Sequence, residues 1–239
     1  MLLVSLAAWA GLFALSNGSA VFGCCIPISA RGGPSGLVEV LVAGWLLMIF
    51  AMMGPLMPMG LGHAMDRSFA SRKWRVVPLF LLGYVGTWMV AGLLIPSSAL
   101  LIRWARPDSY APAVFALGIA AVYQFSPLKQ VCLNRGHGLP ELAAFGWAAD
   151  RDVFLFAVEH ALWCGAACAP LMFTIELLPA GHLAAMAIGT GWLVAEKYER
   201  PRGPSWRVRG VATVGQLAVW QVLLWRSRWT VRSARPGDW

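Results

Sequence analysis

The chain has 239 residues, of which 59% are hydrophobic and only 13% charged, with a mean hydropathy of +0.64 and a formal charge of +8. A soluble domain carries about a quarter charged residues, so the composition excludes an ordinary water-soluble globule and predicts a chain whose outer solvent is lipid. The positive charge does not imply nucleic acid, because the basic residues fall in short loops between apolar runs, where they act as topology signals and headgroup contacts.

In chain order, the first expected span runs over residues 2–22. Residues 1–30 contain no charged side chain, so the positive start of a cleavable signal peptide is missing and the segment reads as retained. Cys24 and Cys25 follow, without a histidine nearby, and Arg31-Gly-Gly-Pro34 reads as a turn. The second span, 37–59, carries Met48, Met52, Met53, Met57 and Met59, is interrupted by Pro55 and Pro58, and ends near His63. Each proline removes a backbone donor and bends or stops the helix. In a membrane such a break survives only where neighbours satisfy the freed carbonyls. Thioethers favour Cu(I), so this broken helix ending in His63 is a candidate copper site, although methionine also fills irregular core gaps.

Spans three and four are expected at 76–95 and 111–128, the latter followed by Lys129 and Cys132. Residues 129–152 form a longer polar connection containing His137, read as a loop histidine. The fifth span, 153–178, concentrates the chemistry: Glu159, His160, Cys164 and Cys168 lie within one apolar run. Ionisable residues at membrane depth are costly, ~2.5–3.5 kcal/mol on insertion scales, and usually mark a site or a path. The spacing of four puts His160, Cys164 and Cys168 along one side of a helix. Eight residues rise about 12 Å against metal–ligand bonds of ~2.0–2.3 Å, so one ion cannot join all three, and the motif reads as two adjacent half-sites. A small Cys/Ala/Gly face is equally what a tight helix contact in lipid requires. A sixth span is expected at 183–195 and a seventh, short one at 211–225, before a basic interfacial tail over 226–239.

The predicted fold is therefore an all-α, polytopic helix bundle in the cell membrane, one domain with six or seven crossings and no sheet. Nineteen Lys and Arg set its orientation: the loops after spans two, four and six hold twelve of them and the other loops only Arg31, Arg103 and Arg106, the tail holding the rest. The positive-inside rule puts the first group in the cytoplasm. The candidate ligands Met52, Met53, Met57, His63, Cys132, His160 and Cys164 then gather toward the cytoplasmic side, with Cys168 one turn further along.

Several of these residues also carry a resemblance. Ala51-Met52-Met53 with Pro55 and Pro58, Gly83-Tyr84 with Trp88, the run Tyr123 to Lys129, Cys132-Leu133, His160-xxx-Cys164-xxx-Cys168, Leu171-Met172 and Glu196-Lys197 resemble the bacterial predicted metal-binding integral membrane protein family, a domain of unknown function. The resemblance covers roughly residues 37–200 and implies metal binding. In the family pattern further cysteines stand where this chain has Gly136 and Ala167.

The expected function is a membrane protein that holds or passes Cu(I) at a Met/His/Cys site in the cytoplasmic half of the bilayer. The alternative is a non-catalytic accessory subunit of a larger membrane enzyme, such as a copper-dependent monooxygenase or oxidase. An enzyme is not expected: the sequence has no phosphate loop and no nucleophile–base pair, and Glu159 faces a different side of its helix from His160. The expected partners are the lipid bilayer and other membrane subunits.

Overall fold

Proline and glycine divide the chain, and a computed structural model, which describes residues 2–17 and 34–216, breaks its helices at those points. The helices are α1 (Leu2–Asn17), α2 (Pro34–Met48), α3 (Met57–Asp66), α4 (Lys73–Ala105), α5 (Ala111–Phe125), α6 (Pro127–Arg135), α7 (Gly146–Glu176) and α8 (His182–Tyr198). A π-helical turn, Ile49–Met53, extends α2, and a single 3-10 turn, Ala70–Arg72, precedes α4. Among the described residues all regular structure is helical, as the long apolar runs led one to expect.

The number of crossings differs from the expected six or seven. Among the described residues two helices are long and apolar enough to span, 70–105 and 146–176, or up to four if each bent pair counts as one. The reasons are local. The second expected span is bent by 76° between residues 53 and 57, and the fourth by 70° between Phe125 and Pro127. Helices α1, with 16 residues, and α8, with 17, fall at or below the ~17–25 residues that a crossing takes. The seventh expected span is described only over 211–216, where it is helical. Cys24, Cys25 and the tail 226–239 lie outside the described residues.

The bend at residues 53–57 shows how the backbone is kept satisfied. Pro55 has no N–H to give the carbonyl of Ala51, four residues back. Two donors from α1 replace it: Ser5 Oγ at 2.9 Å and Trp9 Nε1 at 3.1 Å from that oxygen. The π-helical turn is thus held open by a neighbouring helix, and Met52 and Met53 within it are fully buried. At the second bend Pro127 forces Ser126 into an extended conformation. The Ser126 hydroxyl then accepts the Lys129 N–H at 3.2 Å, capping α6.

Helices α4 and α7, about 50 and 46 Å long at 1.5 Å per residue, form the spine against which α2, α3, α5, α6 and α8 lie, while α1 packs on α2 and the π-helical turn. They approach closely at Gly83, where a Cβ would come within 2.8 Å of the Phe154 carbonyl oxygen and 3.0 Å of Ala157 Cβ. Only glycine permits that approach. At one end Asp150 of α7 is pinned by Arg72 at 2.5 Å and Arg75 at 2.8 Å. Helices α6 and α8 are tied by a buried ion pair, Lys129 Nζ to Glu196 Oε2 at 2.9 Å, with both side chains 1% exposed. The Gln124 amide bonds to both partners and completes the triad.

Candidate metal centre

The soft donors of α7 and of the π-helical turn meet in the core. Cys164 Sγ lies 3.8 Å from Met53 Sδ and accepts a hydrogen bond from the Tyr84 hydroxyl at 3.4 Å. Two sulfurs 3.8 Å apart subtend about 110° at a metal bound by ~2.3 Å metal–sulfur bonds. The pair therefore already has the spacing of two ligands on one ion. One turn along α7, Cys168 Sγ stands 3.8 Å from Met172 Sδ and donates to the Cys164 carbonyl at 3.0 Å. The same stripe thus holds two cysteine–methionine pairs, the first joining two elements and the second internal to α7.

His160, one turn in the other direction, is set among aromatic rings. Phe156, Tyr84 and Phe80 lie with centroids 5.7, 6.2 and 6.4 Å from its imidazole. Helix α3 approaches here too: a Cβ on Gly60 would sit 3.2 Å from His160 Nε2. Tyr84 of α4 consequently touches both His160 and Cys164.

Cys132 arrives from α6. Together with Cys164, Cys168 and Lys197 it lines a chamber of about 20 Å³. That is room for one water-sized particle, which needs ~10–15 Å³. Gly136 and Ala167, the positions where the resembling family carries cysteine, line the same chamber. Lys197 Nζ donates to the Gly136 carbonyl at 2.6 Å, placing a buried ammonium group beside three thiols. His137, read as a loop histidine, instead clasps the chain here, its two ring nitrogens 2.7 Å from the carbonyl oxygens of Leu133 and Lys197.

His63 and Met52, also expected as ligands, have other neighbours. His63 Nε2 is 2.8 Å from the Pro140 carbonyl, and its ring rests edge-on against Phe156. Met57 is buried in α3. The Met52 methyl points toward α8, where a Cβ on Gly189 would lie 3.6 Å from it. Among the described residues no three of His, Cys, Asp and Glu form a ready-made metal cage. The thioethers supply the second donor in each pair.

Met172, Tyr84 and Lys197 entered the sequence reading only among the residues that carry the resemblance, and none was assigned a place in the site. Met172 continues the spacing of four from Cys168, so its place on the donor stripe was readable. For Tyr84 and Lys197 the resemblance was the signal, since both come from other helices and no spacing links them to α7.

The described fold and core define a helical protein with paired soft sulfur donors at its centre. The family model described as PpoB2, copper chaperone, matches residues 42–224, and the chain belongs to that family. Its description names a carrier, a role without catalysis. Comparison with curated proteins found no match, nor did comparison with solved structures.

Proposed function

We propose that this protein is a multi-pass membrane carrier of Cu(I), which it holds between Cys164 of α7 and Met53 of the π-helical turn. The observation that carries the reading is the 3.8 Å approach of these two sulfurs across separate elements, both side chains being buried. Thiolate and thioether donors favour Cu(I) over hard cations. Zn²⁺ prefers four nitrogen or sulfur ligands in a closed tetrahedron, whereas a two- or three-donor set in an apolar core suits Cu(I).

Each other residue then has a task. Cys168 with Met172 is a second holding position about 6 Å further along the helix, reached by ligand exchange through Cys132 in the shared chamber. His160 can add a nitrogen donor to Cys164 from the preceding turn. Binding requires the Cys164 thiol to lose its proton, and the Lys197 ammonium group offsets the negative charge so created. Met52, Met57 and the tyrosine hydroxyl fill and orient the surroundings, while His63 lies outside the exchange route.

Membrane insertion is supported by where the apolar surface faces. Leu82, Leu93, Leu94 and Leu101 of α4 are each more than three-fifths exposed, a face that lipid would cover. The test is copper analysis of the full-length protein, purified in detergent under reducing conditions and loaded with Cu(I). Wild type should retain copper, Cys164→Ala should lose it, and Cys168→Ala should release it faster. Equal copper in wild type and Cys164→Ala would overturn the assignment. Stoichiometric recovery with a large membrane enzyme would move the reading to an accessory subunit.

A further inference from the structure

Beside the thiol chamber lies a second, larger space of about 410 Å³, whose walls include Arg135, Pro140, Glu159 and His160. Among the described residues a single side chain lines both spaces: the indole of Trp163. Trp163 is also the one chamber-lining residue that is not buried. The chamber behind it holds Cys132, Cys164 and Cys168, and the space in front holds a carboxylate, a guanidinium and an imidazole.

The indole is clamped from both sides. Its Nε1 donates to Glu159 Oε1 at 3.2 Å, one turn back on α7. The Arg135 guanidinium, at the last residue of α6, lies 4.7 Å from its ring centroid. Its inner edge packs on the cluster formed by Cys132, Leu133 and Ala167. Contacts of the outer kind, a cation over a ring and a hydrogen bond at an exposed carboxylate, are weak where water competes. Trp163 is partly exposed, and rotamer changes are fast for side chains that reach solvent. The arrangement is a hinged plate with soft catches, set between an open cavity and a reactive one.

We propose that Trp163 is the gate of the thiol chamber and that the cavity lined by Arg135, Glu159 and His160 is the mouth through which Cu(I) is loaded and withdrawn. Closed, the indole keeps water and competing thiols from the buried sulfurs. Swung out from Cys132 and Leu133, it joins the two spaces and brings the chamber within reach of an ion at the mouth. Glu159, the exposed anion there, draws cations toward His160, whose ring is the first soft donor inside.

The identity of the cargo rests on the copper reading above, but the gate can be tested without it. The measurement is the rate at which Cys132 and Cys164 react with methyl methanethiosulfonate in the full-length, metal-free protein, each site being followed by mass spectrometry. Trp163→Ala should raise both rates by about tenfold or more, the change that ~1.4 kcal/mol of barrier makes. Trp163→Phe, which keeps a ring but loses the Glu159 bond, and Arg135→Gln should each give a smaller rise with an unchanged melting temperature. They decide the matter if the alanine variant does not fold. Unchanged reactivity in all three would overturn the gate. A parallel arm loads wild type and variants with Cu(I) and follows its removal by bathocuproine disulfonate. Faster release at unaltered stoichiometry supports the gate. A wild type that takes up no Cu(I) would overturn the copper reading, and the thiol rates would still judge the gate.

Discussion

Lys129 and Glu196 are the least exposed charged pair described in the molecule, 2.9 Å apart and both 1% exposed, and replacing Lys129 by methionine probes what they do. Methionine keeps most of the length of the lysine stem, so packing changes little. The glutamate keeps its hydrogen bonds to Gln124 and Trp192 but loses its ion-pair partner. Breaking a buried pair from one side typically costs ~3–5 kcal/mol, whereas replacing both partners with apolar residues is often neutral. Lys129→Met should therefore unfold at a lower temperature than wild type, and Lys129→Met/Glu196→Met should recover most of the loss. Thermal unfolding in a single detergent, followed by circular dichroism, reads both. A deficit in the single variant that is under about 1 kcal/mol, or a double variant no better than the single, would refute the assignment of the pair as a tie between α6 and α8. The consequence for the site is direct. Lys129 sits three residues before Cys132, and Glu196 is adjacent to Lys197. Loosening the tie should widen the thiol chamber and raise the alkylation rate of Cys132 in the single variant only.

Three further outcomes are expected. Gly83→Ala should destabilise the protein by ~1–3 kcal/mol, the usual cost of overpacking, because the new methyl group meets the Phe154 carbonyl and Ala157 at 2.8 and 3.0 Å; a melting curve identical to wild type would contradict the close approach of α4 and α7. Met53→Leu, nearly volume-conserving, should cost under ~1.5 kcal/mol in stability yet lower copper retention under chelator challenge, and full retention would remove the thioether from the ligand set. Single cysteines placed in the loop around 66–75 should be labelled from the cytoplasmic side of sealed vesicles; labelling from the outside alone would invert the orientation that the arginines imply.

How far the sequence could lead is visible in particular residues. The helical class followed from composition, and the break at Pro55 followed from the missing N–H of proline, whereas the fourth span was expected to run through Pro127, where the helix bends and α6 begins. The partners that close the break at Pro55 did not follow, because Ser5 and Trp9 reach the Ala51 carbonyl across more than forty residues, and no local pattern encodes such a contact. The count of six or seven crossings is not reached among the described residues for a related reason. Hydropathy records that a run is apolar, but it does not record a bend of 76° or 70° inside it, and each bent pair counts as a span only if both halves are taken together.

The site divides along the same line. Cys164, Cys168 and His160 announce themselves by their spacing within one helix, and Met172 extends it. What the spacing cannot say is which element faces each donor. Met53 meets Cys164 only because the π-helical turn, held open by α1, presents this side chain to α7. Cys132 and Lys197 reach the same chamber only because a buried ion pair fastens α6 to α8 one turn away. The spacing of the donors is therefore a property of one helix, whereas the Cys164–Met53 pair joins two elements and the chamber is lined from α6, α7 and α8 with Leu56. On the proposed reading a carrier built this way would separate its duties: the donor stripe on α7 would set what can be bound, and the shorter elements around it would set how fast anything reaches the sulfurs. It follows that substitutions in the stripe should change how much copper is held, and substitutions at Trp163, Arg135 or Lys129 should change its rate of exchange.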